Sequence, residues 1–184
     1  MPRKPSETHL VEGSDWPAAL HRALKSQRVR QVSYVPDAGH KRLIGLCHAD
    51  KGMTAVPLTT EEEGVALAAG AWLGGERAAL LMQSSGVGNC VNALTLAATC
   101  GFPLLMLVTM RGEAGERNPW QIPMGQATPQ ALHLAGARTL RLERAEEASA
   151  LAIAAAKVAF EEQCAVALLI PQQLIGVKSF EEKR

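Results

Sequence analysis

The chain has 184 residues, 47% hydrophobic, 20% charged and only 4% aromatic, with a formal net charge of +1. That length supports one domain with a full core, and that composition fits a globular α/β protein. Near-neutral charge excludes the electrostatic footprint of a nucleic-acid or anionic-membrane binder, and every apolar run is broken by charge or glycine before the roughly 18 residues of a membrane-spanning helix.

Residues 1–13 are polar and proline-containing and predict a flexible arm. Their opening, MPRKPSETHL, lacks the apolar centre of a secretory signal. Behind Ser14 as an N-cap, Trp16, Leu20, Ala23 and Leu24 recur at helical spacing, predicting a helix from Asp15 to Ser26. Val29 to Val35 is the first strand, stopped by Pro36-Asp37, and Gly39 loosens the turn that follows. Leu43, Ile44, Leu46 and Cys47 mark the inner stripe of a second helix. Thr54 to Leu58 reads as a short strand, and Pro57 assigns it to an edge or a sheet terminus.

A third helix begins at Glu61 or Glu62, where Thr60 and Glu63 have the spacing of a capping box. Val65, Ala66, Ala68, Ala69 and Ala71 leave almost no polar face, which predicts burial on most sides. Ala78 to Met82 is apolar throughout, as a central parallel strand should be. The run QSSGVGN, Gln83 to Asn89, reads as a glycine turn leading into a helix from Asn89 to Cys100. Pro103 to Thr109 is the fourth strand. Met110 to Thr128 has no period, and a connection of that length in a compact domain implies function or partial disorder. Pro129 opens a short helix, Arg138 to Leu142 a short strand, and Glu143 to Glu162 a long helix with acids toward its start. Ala165 to Ile170 is the last core strand, and 172–184 a tail.

Strands alternating with helices predict a three-layer α/β/α domain over 14–171 with a mostly parallel sheet. Ligands of such sheets bind outside the carboxyl ends of the strands. Residues 36–40, 59–61, 83–89 and 109–112 bring polar or glycine-rich sequence to that rim. Glu61, Glu62 and Glu63 have an alternative purpose, since acids at a helix start are stabilising in themselves. The Gly-x-Gly turn equally serves a tight connection with no ligand. A dinucleotide site is disfavoured because the third glycine of its fingerprint is missing. His40 and Arg111 are either anion ligands or exposed loop charges. Cys47, Cys90, Cys100 and Cys164 are scattered, as reduced thiols of a cytoplasmic protein would be, and form no metal-ligand pattern.

Three separated runs, TTEEEGVALAAGAWLGG, LLMQSSGVGNCVNAL and RGEAGERNPWQIPMGQATPQAL, resemble the pyrimidine-binding domain of thiamine diphosphate-dependent decarboxylases. The likeness covers Val32 to Ile170 and points toward the alpha subunit of sulfopyruvate decarboxylase, with phosphonopyruvate decarboxylase beside it. It implies decarboxylation of 3-sulfopyruvate to sulfoacetaldehyde. Phosphonopyruvate, another acidic 2-oxo acid, or a non-catalytic regulatory module of the same fold are the alternatives.

The resemblance also implies roles for residues. The family's activating glutamate stands nine residues before a glycine that here is Gly70, which gives Glu61. Its carboxyl group hydrogen-bonds a ring nitrogen of the cofactor's aminopyrimidine, and sharing a proton there calls for a dry, apolar setting. The family's Ser-Gly-x-Gly-x-x-Asn falls on Ser85, Gly86, Gly88 and Asn92, with Asn89 beside it. Arg111, His40 and Gln121 are the candidates for the acid head of the substrate. Ser84 stands where these enzymes commonly carry Asn after Gln, while Gln121 replaces the His of the phosphonopyruvate enzymes and favours sulfopyruvate. No Gly-Asp-Gly segment is present, so a beta subunit is expected to hold the diphosphate and Mg2+ in a hetero-oligomer. Pairing of alpha chains into homodimers stays open.

Overall fold

The computed structural model describes residues 15–176. The arm at 1–13, Ser14 and the end of the tail lie outside that range; the cap of the first helix is Asp15 rather than Ser14, its side chain accepting from Ala18 N–H at 3.3 Å. Six strands, β1 (Val29–Tyr34), β2 (Thr54–Pro57), β3 (Arg77–Gln83), β4 (Leu104–Thr109), β5 (Arg138–Arg141) and β6 (Ala165–Ile170), form one sheet of order β2-β1-β3-β4-β6-β5. Every pairing is parallel. Pro57 lies in the outermost strand, where a missing backbone N–H costs no ladder bond.

Helices cover both faces, which is why β6 is apolar throughout, β3 from Ala78 to Met82 and β4 from Leu104 to Val108. On one side α1 (Trp16–Ser26), α2 (Lys41–Ala49) and α6 (Ala148–Glu162) bury Leu20, Leu24, Leu43 and Ala155 against Leu81, Leu107 and Leu168. On the other, α3 (Glu61–Leu73), α4 (Ser84–Cys100) and α5 (Ile122–Leu134) bury Val65, Val87, Leu94 and Leu132 against Leu80, Met106 and Ala167. Each fully buried leucine stabilises the fold by about 1.5–3 kcal/mol. The three-layer expectation holds.

Four local expectations are corrected. The helix expected from Asn89 begins at Ser84, directly after the last residue of β3, and Gly86 and Gly88 are helical. Their lack of a side chain serves close approach rather than a turn. The helix expected from Pro129 begins at Ile122, and Pro129 sits inside it. An interior proline costs about 3 kcal/mol, offset by the burial of Gly125, Thr128 and Leu132 on that helix. The long helix begins at Ala148 after a 3-10 turn at Ala145–Glu147, not at Glu143. The tail begins with a helical turn, α7 (Gln172–Ile175), and Leu174 O accepts from Trp16 Nε1 at 3.2 Å.

The third helix also differs from expectation. Within this chain only Glu61, Gly64, Val65 and Ala68 of α3 are buried. Leu73 is 88% exposed, and Leu96 on α4 and Leu134 on α5 are exposed as well. From Gly64 to Leu73, and throughout α4 and α5, there is no Asp, Glu, Lys or Arg. The opposite layer carries Arg22, Lys25, Lys41, Arg42, Lys157, Glu161 and Glu162. One helical layer is therefore dressed for water and the other is not.

Candidate functional site

Glu61 is the first residue of α3 and only 6% exposed. Its Oε2 accepts a hydrogen bond from Asn89 Nδ2 at 2.9 Å. Gly86 lies against the same carboxyl group: a Cβ there would stand 2.3 Å from Oε1. So the two glycine-turn residues singled out from the sequence do meet Glu61, one by a hydrogen bond and one by having no side chain. Cys90, one turn further on, donates to Gly86 O at 3.3 Å. Burial, with the Glu61 and Glu62 charges behind it, pushes its thiol up to about 12. It stays a neutral thiol.

The expected capping box is realised in part. Thr60 is the N-cap but makes no side-chain bond there, and Glu63 Oε2 accepts instead from Thr59 N–H at 2.9 Å. Glu63 is thus committed to the helix start, Glu62 is exposed, and Glu61 is the acid turned inward.

A second set of polar groups spans the strand ends. Gln83, which closes β3, donates through Nε2 to Asp37 Oδ1 at 3.0 Å. Its Oε1 accepts from Ser85 Oγ at 2.8 Å and from Gln121 Nε2 at 2.9 Å. Gln121 Oε1 accepts from Arg111 Nε at 3.1 Å. Arg111 Nε also lies 2.9 Å from Glu116 Oε2, in an ion pair whose side chains are 3% and 1% exposed. Glu116 Oε2 accepts in turn from Gln172 Nε2 at 3.0 Å. The chain of contacts runs past the ends of β1, β3, β4 and β6 in their spatial order.

Burial alone would raise the Glu116 carboxyl. Backbone N–H bonds from Asn118 and Gly112 and the Arg111 guanidinium outweigh it and hold the pKa at about 2. Backbone packing around Arg111 is equally tight. Gly112 has φ +75°, and a Cβ on Gly125 would stand 1.9 Å from Arg111 O, so α5 starts in direct contact with the end of β4.

The other candidates are placed as follows. Gly88 is exposed on α4, with Met124 Sδ 2.9 Å from where its Cβ would be. Asn92 is exposed three residues beyond Asn89, on the same side of the helix. Gln121 is 5% exposed and Arg111 2%. His40 is fully enclosed; its Nε2 faces the carbonyls of Leu107 at 3.0 Å and Met82 at 3.3 Å, so that nitrogen carries the proton. Burial lowers its pKa, and Nδ1 has no partner. His40 therefore sits inside the sheet end rather than on the rim. Sequence reasoning missed Glu116, whose charged loop gave only a weak hint, and Gln172, which had no signal at all. Among the described residues no group of three or more His, Cys, Asp or Glu side chains is arranged to hold a metal ion, and no helix is long and apolar enough to cross a membrane.

Comparison with known proteins adds four findings. Residues 16–137 match the family described as thiamine pyrophosphate enzyme, N-terminal TPP binding domain. The chain is 37% identical over 152 residues to sulfopyruvate decarboxylase subunit alpha of Methanocaldococcus jannaschii, covering 82% of this chain and 90% of that one. It is 36% identical over 119 residues to phosphonopyruvate decarboxylase of Streptomyces viridochromogenes, covering 64% of this chain and 30% of that protein. Among solved structures, a 2-oxoglutarate:ferredoxin oxidoreductase from Magnetococcus marinus superposes with a TM-score of 0.71 at 15% identity, over 85% of this chain and 28% of the other, a likeness of fold.

Proposed function

This chain belongs to the thiamine pyrophosphate enzymes as their N-terminal TPP binding domain, and on that premise we propose that it is the alpha subunit of a 2-oxo acid decarboxylase acting on 3-sulfopyruvate. The observation that carries the reading is the Glu61 carboxyl, enclosed, bonded by Asn89 and pressed on Gly86. Those residues fit the aminopyrimidine end of the cofactor. When bound, thiamine diphosphate supplies the carbon nucleophile and the electron sink that loss of carbon dioxide requires.

The protein's own part is to hold a proton in the right place. Asn89 occupies Oε2, which leaves Oε1 to share a proton with a ring nitrogen of the pyrimidine. Gly86 lets the carboxyl lie flat against α4, and the neutral Cys90 thiol one turn on adds no competing charge. Ser85 and Gln83 hold the first turn of α4 in place, while Gly88 and Asn92 line its outward side.

The diphosphate and Mg2+ fall to a partner, the beta subunit, since Gly-Asp-Gly is absent here. The outer layer, free of Asp, Glu, Lys and Arg from Gly64 to Leu73 of α3 and throughout α4 and α5, with Leu73 and Leu134 exposed, supports a protein-covered face. A cytoplasmic hetero-oligomer is part of the same proposal. Phosphonopyruvate is the second reading, favoured by the Streptomyces relative. Co-expression with the beta subunit and measurement of carbon dioxide release from a panel of 2-oxo acids tests the assignment. Turnover highest with 3-sulfopyruvate, and abolished by Glu61→Gln in a folded complex, is the expected result. Full turnover by that variant refutes the role of Glu61.

A further inference from the structure

Five N–H donors converge on one carboxylate that the chemistry above leaves unused. Glu116 Oε1 accepts from the backbone of Arg117 at 2.9 Å and Asn118 at 3.0 Å and from Arg111 Nη2 at 3.1 Å. Oε2 accepts from Gly112 N–H at 3.3 Å and Gln172 Nε2 at 3.0 Å, and Arg111 Nε lies 2.9 Å from it in the ion pair. Segment 112–118 is thus folded around its own acid. Gln172 ties it to the end of β6: its Oε1 accepts from Glu113 N–H at 3.1 Å, and its N–H donates to Glu113 Oε2 at 2.8 Å.

This arrangement decides which cations remain for an acidic substrate. Arg111 is buried and neutralised by Glu116, and His40 is enclosed. Arg117 has its backbone pulled inward by Glu116 while its side chain is exposed, and it joins no ion pair among the described residues. Trp120, 69% exposed, stands beside Gln121 on the same segment. Glu61, by contrast, is held by α3 and α4 with no bond from this segment.

We propose that Glu116 and Gln172 form a latch that fixes segment 112–121 to the strand ends and so presents Arg117 to the acid head of the 2-oxo acid. Both are positioning residues for the substrate and not for the cofactor. The inference rests on the decarboxylase reading above. Because every hydrogen-bond partner of Glu116 is a donor, Glu116→Gln turns an amide NH2 toward donors despite its equal size.

The test uses the full chain in complex with the beta subunit. Gln172→Ala and Glu116→Gln are expected to raise KM for 3-sulfopyruvate about tenfold or more, the effect of losing a hydrogen bond to a charged group. Thiamine diphosphate affinity stays at the wild-type value, and the amides of Arg117 and Asn118 exchange faster with solvent. Arg117→Gln raises KM with exchange unaltered. Unchanged KM in Gln172→Ala or Arg117→Gln, unchanged exchange in Gln172→Ala, or a parallel loss of cofactor affinity overturns the latch. Should Glu116→Gln fail to fold, Gln172→Ala decides alone, since it leaves the Arg111–Glu116 pair intact. A wild-type complex that turns over no 2-oxo acid sinks the decarboxylase reading. Exchange at Arg117 and Asn118 in Gln172→Ala still judges the latch in that event.

Discussion

Gly86→Ala is the sharpest test of how this protein holds its working acid. The added methyl carbon would lie 2.3 Å from Glu61 Oε1, 2.5 Å from Cδ and 2.6 Å from Cγ, where ordinary contact begins at 3.4 Å. Three atoms of the side chain are affected, so bending the carboxyl tip aside is not enough. The whole group must withdraw by about 1 Å and give up Asn89. For stability the effects nearly cancel. Alanine gains about 1 kcal/mol over glycine in a helix, and overpacking costs about 1–3 kcal/mol. For catalysis nothing offsets the move, since a displacement of about 1 Å can cost on the order of a hundredfold in rate. The assay is kcat for 3-sulfopyruvate in the reconstituted complex, paired with thermal denaturation. Gly45→Ala is the control, being helical, exposed and with nothing within 4 Å of the new carbon. It should stabilise by up to about 1 kcal/mol without touching turnover. A Gly86→Ala complex with wild-type kcat would refute the argument that this glycine exists to let Glu61 in.

Further outcomes follow from the same contacts. Asn89→Ala removes the Glu61 Oε2 bond and should lower kcat about tenfold, the value of one hydrogen bond to a charged group; steady-state kinetics checks it. Glu116 has a folded pKa of about 2, below its ordinary 4.5, so its stabilisation is complete above pH 4.5 and is lost as pH falls toward 2. Acid titrations of wild type and Glu116→Gln should therefore converge in stability across that window and differ most above it. Leu73→Glu, at a position 88% exposed, should change the stability of the isolated chain by less than about 0.5 kcal/mol yet abolish co-purification with the beta subunit. The chain purified alone should show no tight thiamine diphosphate binding by calorimetry, and micromolar affinity without the partner would contradict the division of the site.

The parts of the fold that were legible are those where hydrophobicity alone decides. Ala165 to Ile170 read as a core strand, and Pro57 as an edge or terminal position, which the outermost place of β2 meets. The parts that misled are those where glycine and proline answer to tertiary contacts. Gly86 and Gly88 look like turn residues, but they clear space for Glu61 and Met124 in helical backbone. Gly125 and Pro129 look like loop, but Gly125 admits the Arg111 carbonyl and the helix runs through both. Glu61 was legible through the family resemblance, nine residues before Gly70, whereas Gln172 was not, because its bonds reach 56 and 59 residues back along the chain. Long-range polar pairing leaves no period to read. The exposed side of α3 was hidden for a related reason: an apolar helix reads the same whether its own domain or another chain covers it.

The passage from β3 to α4 has no residue between strand and helix. A hinge needs backbone dihedrals that can change, and here every one is already held by a ladder or a helical turn. Gly86 and Asn89 consequently behave as a fixed jaw. Whatever opens to admit a 2-oxo acid must lie outside this junction.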